Sequence, residues 1–140
     1  MFKNLFKICT TLALLSPLSA AAQGKFLTAA EVRPILTATQ GNWIAVREFN
    51  CQDLLYFSHL LAWRCGLSAV AYAINSDDPT KDWPLTPCNE DSPTPAANGD
   101  DQPIYSSHAL GSIETITVRI TYDDDTTDQM TFQRKAVQIP

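Results

Sequence analysis

The sequence predicts a mainly β domain: a small antiparallel sheet or sandwich with one short N-terminal helix, stapled by a disulfide. Three observations carry this. Ile116, Val118, Ile120 and Tyr122 alternate with Thr115, Thr117, Arg119 and Thr121, the period-two pattern of a half-buried antiparallel strand. The polar run 123–128 reads as a turn, and residues 129–134 return with Met130 and Phe132 facing the core. A hairpin register upstream brings two cysteines opposite one another, as argued below.

Along the chain, the first 22 residues read as a secretory leader. Lys3 and Lys7 give a positive start, residues 8–18 a short apolar stretch, and "LSAAAQ" a small-residue cleavage pattern, with cleavage after Ala22. The apolar run is shorter than the roughly 20 residues a spanning helix needs, and no later segment is long and apolar enough to span. The mature chain, 23–140, is expected to be exported, periplasmic or secreted, and to fold as a single β-rich domain. Thr28 with Glu31 three residues later forms a capping-box pattern. Val32, Ile35 and Leu36 share one face of the helix that follows. Pro34 should keep that helix short or kinked.

Residues 42–49, "NWIAVREF", are rich in β-branched and aromatic side chains and read as a strand. Residues 54–64 and 67–75 carry mixed signals and are read as strands in preference to a helical hairpin. If 75–78, "NSDD", is the next hairpin turn, facing residue numbers sum to 153. Val70 then faces Trp83, Tyr72 faces Lys81, and Cys65 faces Cys88. Directly opposed β carbons lie about 4.5–5.5 Å apart and close readily to disulfide distance. Pro84 and Pro87 make the returning strand an irregular edge. Residues 77–103 hold six prolines and seven acidic residues with Lys81 the one base, the composition of an exposed loop.

Without Lys3 and Lys7, eight bases face fifteen acids, a net charge of −7. That surplus disfavours nucleic acid and anionic membrane surfaces, which require clustered Lys and Arg.

Three cysteines remain after leader removal. Cys65–Cys88 is the expected bridge in an oxidising compartment, closing a loop of about 24 residues for roughly 3–3.5 kcal/mol of stabilisation. Cys51 is left as a free or intermolecular thiol. It lies in the turn that joins two apolar runs, where a two-residue hairpin needs positive φ at both positions. The sequence therefore suggests a longer turn there, or one of another type.

Candidate chemistry is sparse. His59 sits inside an apolar run, as a packed histidine does, and over 20 Å of extended strand would part it from Cys51. His108 has Ser106 and Ser107 beside it but no nucleophile-elbow motif. Asp123, Asp124, Asp125 and Asp128 gather as calcium ligands do, yet Asp128 and Arg134 stand where a calcium loop needs Gly and Glu. No metal or cofactor is expected. Trp43, Trp63 and Trp83 read as packing residues, with Trp83 the exposed exception. Trp83, Asp77, Asp78, Asp100 and Asp101 then form the expected interaction surface. The functional expectation is a small exported non-catalytic binding or accessory protein that acts through a protein partner in the cell envelope. The alternatives are a small thiol- or histidine-dependent hydrolase and a soluble ligand carrier.

Overall fold

In the computed structural model, residues 25–140 are described; the expected leader lies outside them. The chain is mainly β and builds two four-stranded sheets. The elements are α1 (Ala29–Ala38), β1 (Ala45–Phe49), β2 (Gln52–Tyr56), α2 (Ser58–Ala62), β3 (Leu67–Ile74), β4 (Lys81–Trp83), β5 (Tyr105–Ala109), β6 (Thr115–Tyr122), β7 (Thr127–Gln133), α3 (Arg134–Val137) and β8 (Gln138–Ile139). The first sheet has the order β5-β2-β1-β8 and the second β4-β3-β6-β7. All pairings are antiparallel except β1 with β8.

The second sheet follows the period-two signal closely. Ile116, Val118, Ile120 and Tyr122 are buried, and β7 returns to pair Phe132 with Ile116. The register on the other side is the one expected from a turn centred on 75–78: Val70 opposes Trp83 and Tyr72 opposes Lys81. Cys65 and Cys88 are bridged, with Cα atoms 5.7 Å apart. The connection from β3 to β4 is wider than a tight turn at 75–78, because Asn75 leaves the hairpin. It takes positive φ, and its side-chain oxygen accepts from the amides of Glu114 and Thr115.

Helix α1 begins at the expected capping box, Thr28 with Glu31. It runs ten residues and continues past Pro34, which sits on the exposed side. The β6–β7 turn fixes it in place. Asp123 accepts from the Ala29 amide at 2.8 Å, and Asp124 pairs with Arg33 at 2.7 Å. The Arg33 guanidinium lies 4.5 Å from the centre of the Tyr122 ring. The helix approaches the chain at Gly66, where an added β carbon would lie 2.4 Å from Val32 Cγ2 and 2.7 Å from the Thr28 carbonyl oxygen.

Three expectations are corrected. Residues 54–64 are not one strand: β2 stops at Tyr56, and Ser58–Ala62 forms a helical turn that buries Leu60 and Leu61 together. The amide of Phe57 bonds the Ile104 carbonyl at the end of the β2–β5 ladder, and Phe57 turns into the core. There it stacks on Trp83 at 4.2 Å and meets Tyr72 at 5.1 Å. Trp83 is therefore not exposed. It is 6% accessible, and its indole N–H donates to the Pro103 carbonyl. An edge strand can still bury one of its faces, and β4 does so. The β1–β2 turn is also not lengthened: Phe49 pairs with Gln52, and Asn50 and Cys51 fill a two-residue loop, both at positive φ.

The proline-rich segment is tied down from beneath. Arg64, 3% accessible, donates to the carbonyls of Leu61, Thr86, Ala96 and Ala97. Gln102, also buried, bonds Thr86 and the carbonyls of Pro84 and Pro103.

An ion pair with a buried carboxylate joins the two sheets. Asp53 on β2 is inaccessible and faces Arg134, the first residue of α3, through two hydrogen bonds of 2.5 and 2.8 Å. Arg134 also donates to the Ile113 carbonyl and to Glu48, and the Ile113 amide donates to Asp53. The guanidinium, aided by backbone amides of Gly111 and Ile113, holds the Asp53 carboxyl well below its ordinary range against the opposing effect of burial.

Two predictions follow from these contacts. Gly66→Ala should force Val32 or the Thr28 backbone to move, at a cost of about 1–3 kcal/mol as for other overpacked sites; a melting temperature equal to wild type would refute the close approach. Because the folded carboxyl of Asp53 is depressed, its stabilisation is complete above its unfolded value of about 3.9 and is lost as pH falls below it. Asp53→Asn removes the buried partner of a guanidinium that is 18% accessible and stays paired with Glu48, so it should cost about 1–3 kcal/mol at neutral pH. It should also flatten the fall in stability between roughly pH 4 and 2, as followed by denaturant titration.

Candidate functional site

The two faces of the first sheet differ. One carries Val46 and Leu55 into the core. The strand register places Ala45, Arg47, Phe49, Leu54, Tyr56, Tyr105 and Ile139 on the other. Three of these are strongly exposed apolar side chains: Phe49 at 54%, Tyr105 at 47% and Ile139 at 44%. Tyr56 bridges this patch, with its ring 5.3 Å from that of Tyr105. Isolated exposed apolar residues are ordinary, but several on one face mark a contact surface.

A cleft of about 430 Å³ opens at one end of the same face. Ile44, Tyr56 and Ile139 line it, together with Arg47, Ser58 and His59. Each is positioned by a different feature of the fold. Arg47 projects from the middle of β1, where the alternation that buries Val46 turns its neighbour outward. Ile139 is held beside Arg47 by the parallel β1–β8 pairing. Ser58 and His59 enter because β2 gives way to α2 at Phe57.

Arg47 is the unusual member. Its guanidinium lies 4.8 Å from the centre of the Phe49 ring, and its Nε is buried without a hydrogen-bond partner. An unpaired buried donor ordinarily costs about 1–3 kcal/mol. His59 is fully specified by its neighbour. The Thr39 hydroxyl donates its one proton to the Ile35 carbonyl at 2.7 Å, so the 2.8 Å contact with His59 is a donation from Nε2–H. Nδ1 is left as an acceptor. Burial lowers the His59 pKa, which keeps the ring neutral at pH 7.

The other sequence candidates are dispersed. Cys51 is exposed at the tip of the β1–β2 hairpin, while His59 lies beyond the opposite end of β2. Ser106 and His108 are joined at 2.7 Å, as residues two apart on one strand face. His108 gains no carboxylate partner. The nearby Asp53 has both oxygens bonded to Arg134, and one of them also to the Ile113 amide. Asp77, Asp78, Asp100 and Asp101 are exposed in two loops, whereas Trp83 belongs to the core. Trp43 is also buried, and Trp63 is half-buried against Phe26. Among the described residues no group of histidines, cysteines and carboxylates is arranged to hold a metal ion. Nor is any helix long and apolar enough to cross a membrane.

Sequence reasoning reached His59 but not the cleft, and it left Arg47 unremarked inside the strand 42–49. The available signal was a cation alternating with Val46 and set between Ala45 and Phe49 at the same-face positions. Comparisons with protein-family models, curated proteins and solved structures find no match for this chain.

The exposed Cys51 at positive φ gives a third prediction. Its thiol should alkylate without reduction, whereas Cys65 and Cys88 should react only after it. Cys51→Gly should raise stability by about 0.5–1 kcal/mol, since glycine takes this turn conformation without steric cost; a destabilised variant would mean the cysteine side chain makes contacts that outweigh the turn strain.

Proposed function

We propose that this chain works as a small exported binding protein without chemistry of its own, docking a protein partner of the cell envelope through the outer face of its first sheet. The observation that carries the reading is the grouping of Phe49, Tyr105 and Ile139, each close to half exposed, around Tyr56 and Arg47. Aromatic side chains and arginine are the residues that most often anchor protein interfaces. Strand β5 borders this face as an edge strand, paired only with β2, so its free backbone groups add a second means of docking. The Cys65–Cys88 bridge fits an oxidising compartment. A hydrolase is less well supported. The Ser106–His108 pair has no orienting carboxylate, and Cys51 and His59 lie at opposite ends of β2.

A photocrosslinking amino acid placed at Tyr105, and separately at Asp82 on the second sheet, tests the reading in cells. The expected result is a discrete crosslinked species from position 105 that is absent from position 82 and lost in a Phe49→Ser, Ile139→Ser background. Equal crosslinking from both positions, or none from 105, would overturn it.

A further inference from the structure

Five arginines lie within the described residues, and four give their guanidinium groups to named acceptors. Arg33 bonds Asp124, Arg64 the carbonyls of Leu61 and Ala96, Arg119 the Pro79 carbonyl, and Arg134 Asp53. Arg47 forms no salt bridge among the described residues, and its Nε is buried and unpaired. It lines the cleft bounded by Ile44, Tyr56 and Ile139. A planar guanidinium presents its donors as a fork that matches the two oxygens of a carboxylate. The remaining walls are largely apolar, and His59, which also lines the cleft, is neutral.

We infer that this cleft binds a small organic monocarboxylate, with its carboxylate on Arg47 and its apolar body against Ile44, Tyr56 and Ile139. The outer nitrogens of the guanidinium, which take no salt bridge or hydrogen bond among the described residues, are the donors such a carboxylate would meet. The volume of about 430 Å³ falls within the roughly 300–1,000 Å³ of small-molecule sites. Arg47 is the one basic side chain that lines the cleft. A multiply charged anion would meet no further cation in the cleft and would be opposed by the acidic surplus of the whole chain. The cleft shares Arg47, Tyr56 and Ile139 with the proposed docking face but does not rest on that reading: crosslinking from position 105 tests the one and ligand titration the other.

The test is a titration of the purified exported chain, disulfide intact, with 3-phenylpropanoate and with its uncharged isostere 3-phenylpropanamide, followed by calorimetry and by amide chemical shifts. The expected result is saturable binding of the carboxylate, shifts at Ile44, Arg47 and Ile139, and at least tenfold weaker binding of the amide. Arg47→Gln should reduce carboxylate affinity to that of the amide. Ala45→Met, which narrows the cleft but keeps Arg47, should weaken both ligands, and it decides the matter if Arg47→Gln does not fold. No saturable binding, equal affinity for acid and amide, or shifts confined to other regions would overturn the assignment.

Discussion

The pairing of Asp53 with Arg134 is the constraint on which the arrangement of the two sheets depends. Asp53 belongs to β2 of the first sheet, and Arg134 follows directly on β7 of the second. Removing two charges from water costs several kcal/mol for each ion, and only good geometry with further hydrogen bonds returns that cost. Here the geometry is bidentate, and the Ile113 amide and carbonyl and Glu48 take up much of the remaining hydrogen-bonding capacity. The pair therefore acts less as a source of net stability than as a positional lock, since any other packing of the sheets would strand a buried charge. The lock also shapes the cleft. With Arg134 fixed, α3 is too short to carry the chain far, and β8 is delivered alongside β1, where Ile139 becomes a wall beside Arg47.

The same logic explains what the acidic turn does. Residues 123–128 resemble a cation-binding loop in composition, but two of their carboxylates serve helix α1. Asp123 caps its first amide, and Asp124 pairs with Arg33; the Thr126 hydroxyl, followed by Arg33, lowers the Asp124 carboxyl to about 2. Asp128 accepts from the Tyr122 hydroxyl. Arg64 plays the corresponding part on the other side. It is buried without a carboxylate partner, and its charge is distributed over carbonyl oxygens of the proline-rich segment. A segment that can bury little of itself is thus held by one cation projecting from the core.

Much of the second sheet was legible because its signals are local. Alternation along β6, the polar turn and the return through Met130 and Phe132 require no knowledge of distant residues. The capping box at Thr28 and Glu31 is equally local, and the β3–β4 register followed from a turn centred on 75–78. Where contacts are long-range, the sequence was silent. Residues 54–64 have uniform apolar character, and what divides them into β2 and α2 is the capture of Phe57 by Trp83 and Tyr72. Strand β8 pairs through only two residues, in parallel, with a partner some ninety positions earlier, and no periodicity can report that. Trp83 was misplaced because flanking prolines mark an edge, whereas burial depends on which face the residue occupies. At the turn, cysteine residues seldom take positive φ, so the sequence argued against the conformation that Asn50 and Cys51 adopt.

The candidate site was less legible than the fold, for a reason the two sheets make plain. The second sheet turns Thr115, Thr117, Arg119 and Thr121 to the side away from the core, and Thr117 bonds Thr131 while Arg119 bonds the Pro79 carbonyl. Those polar groups are satisfied within the chain. The corresponding side of the first sheet carries aromatic rings and an arginine that the chain leaves unpaired. In a strand as short as β1, this difference amounts to two residues, Arg47 and Phe49, out of register with a buried Val46. Read along the chain, they resemble an ordinary amphipathic strand with its polar residue outward. Only when β2, β5 and β8 are placed beside β1 does the outward side become the more apolar surface, and Arg47 a cation within it. The asymmetry between the two sheets is thus a property of pairing, and the place of Ile139 in it rests on the ion pair at Asp53, which holds the end of the chain beside β1.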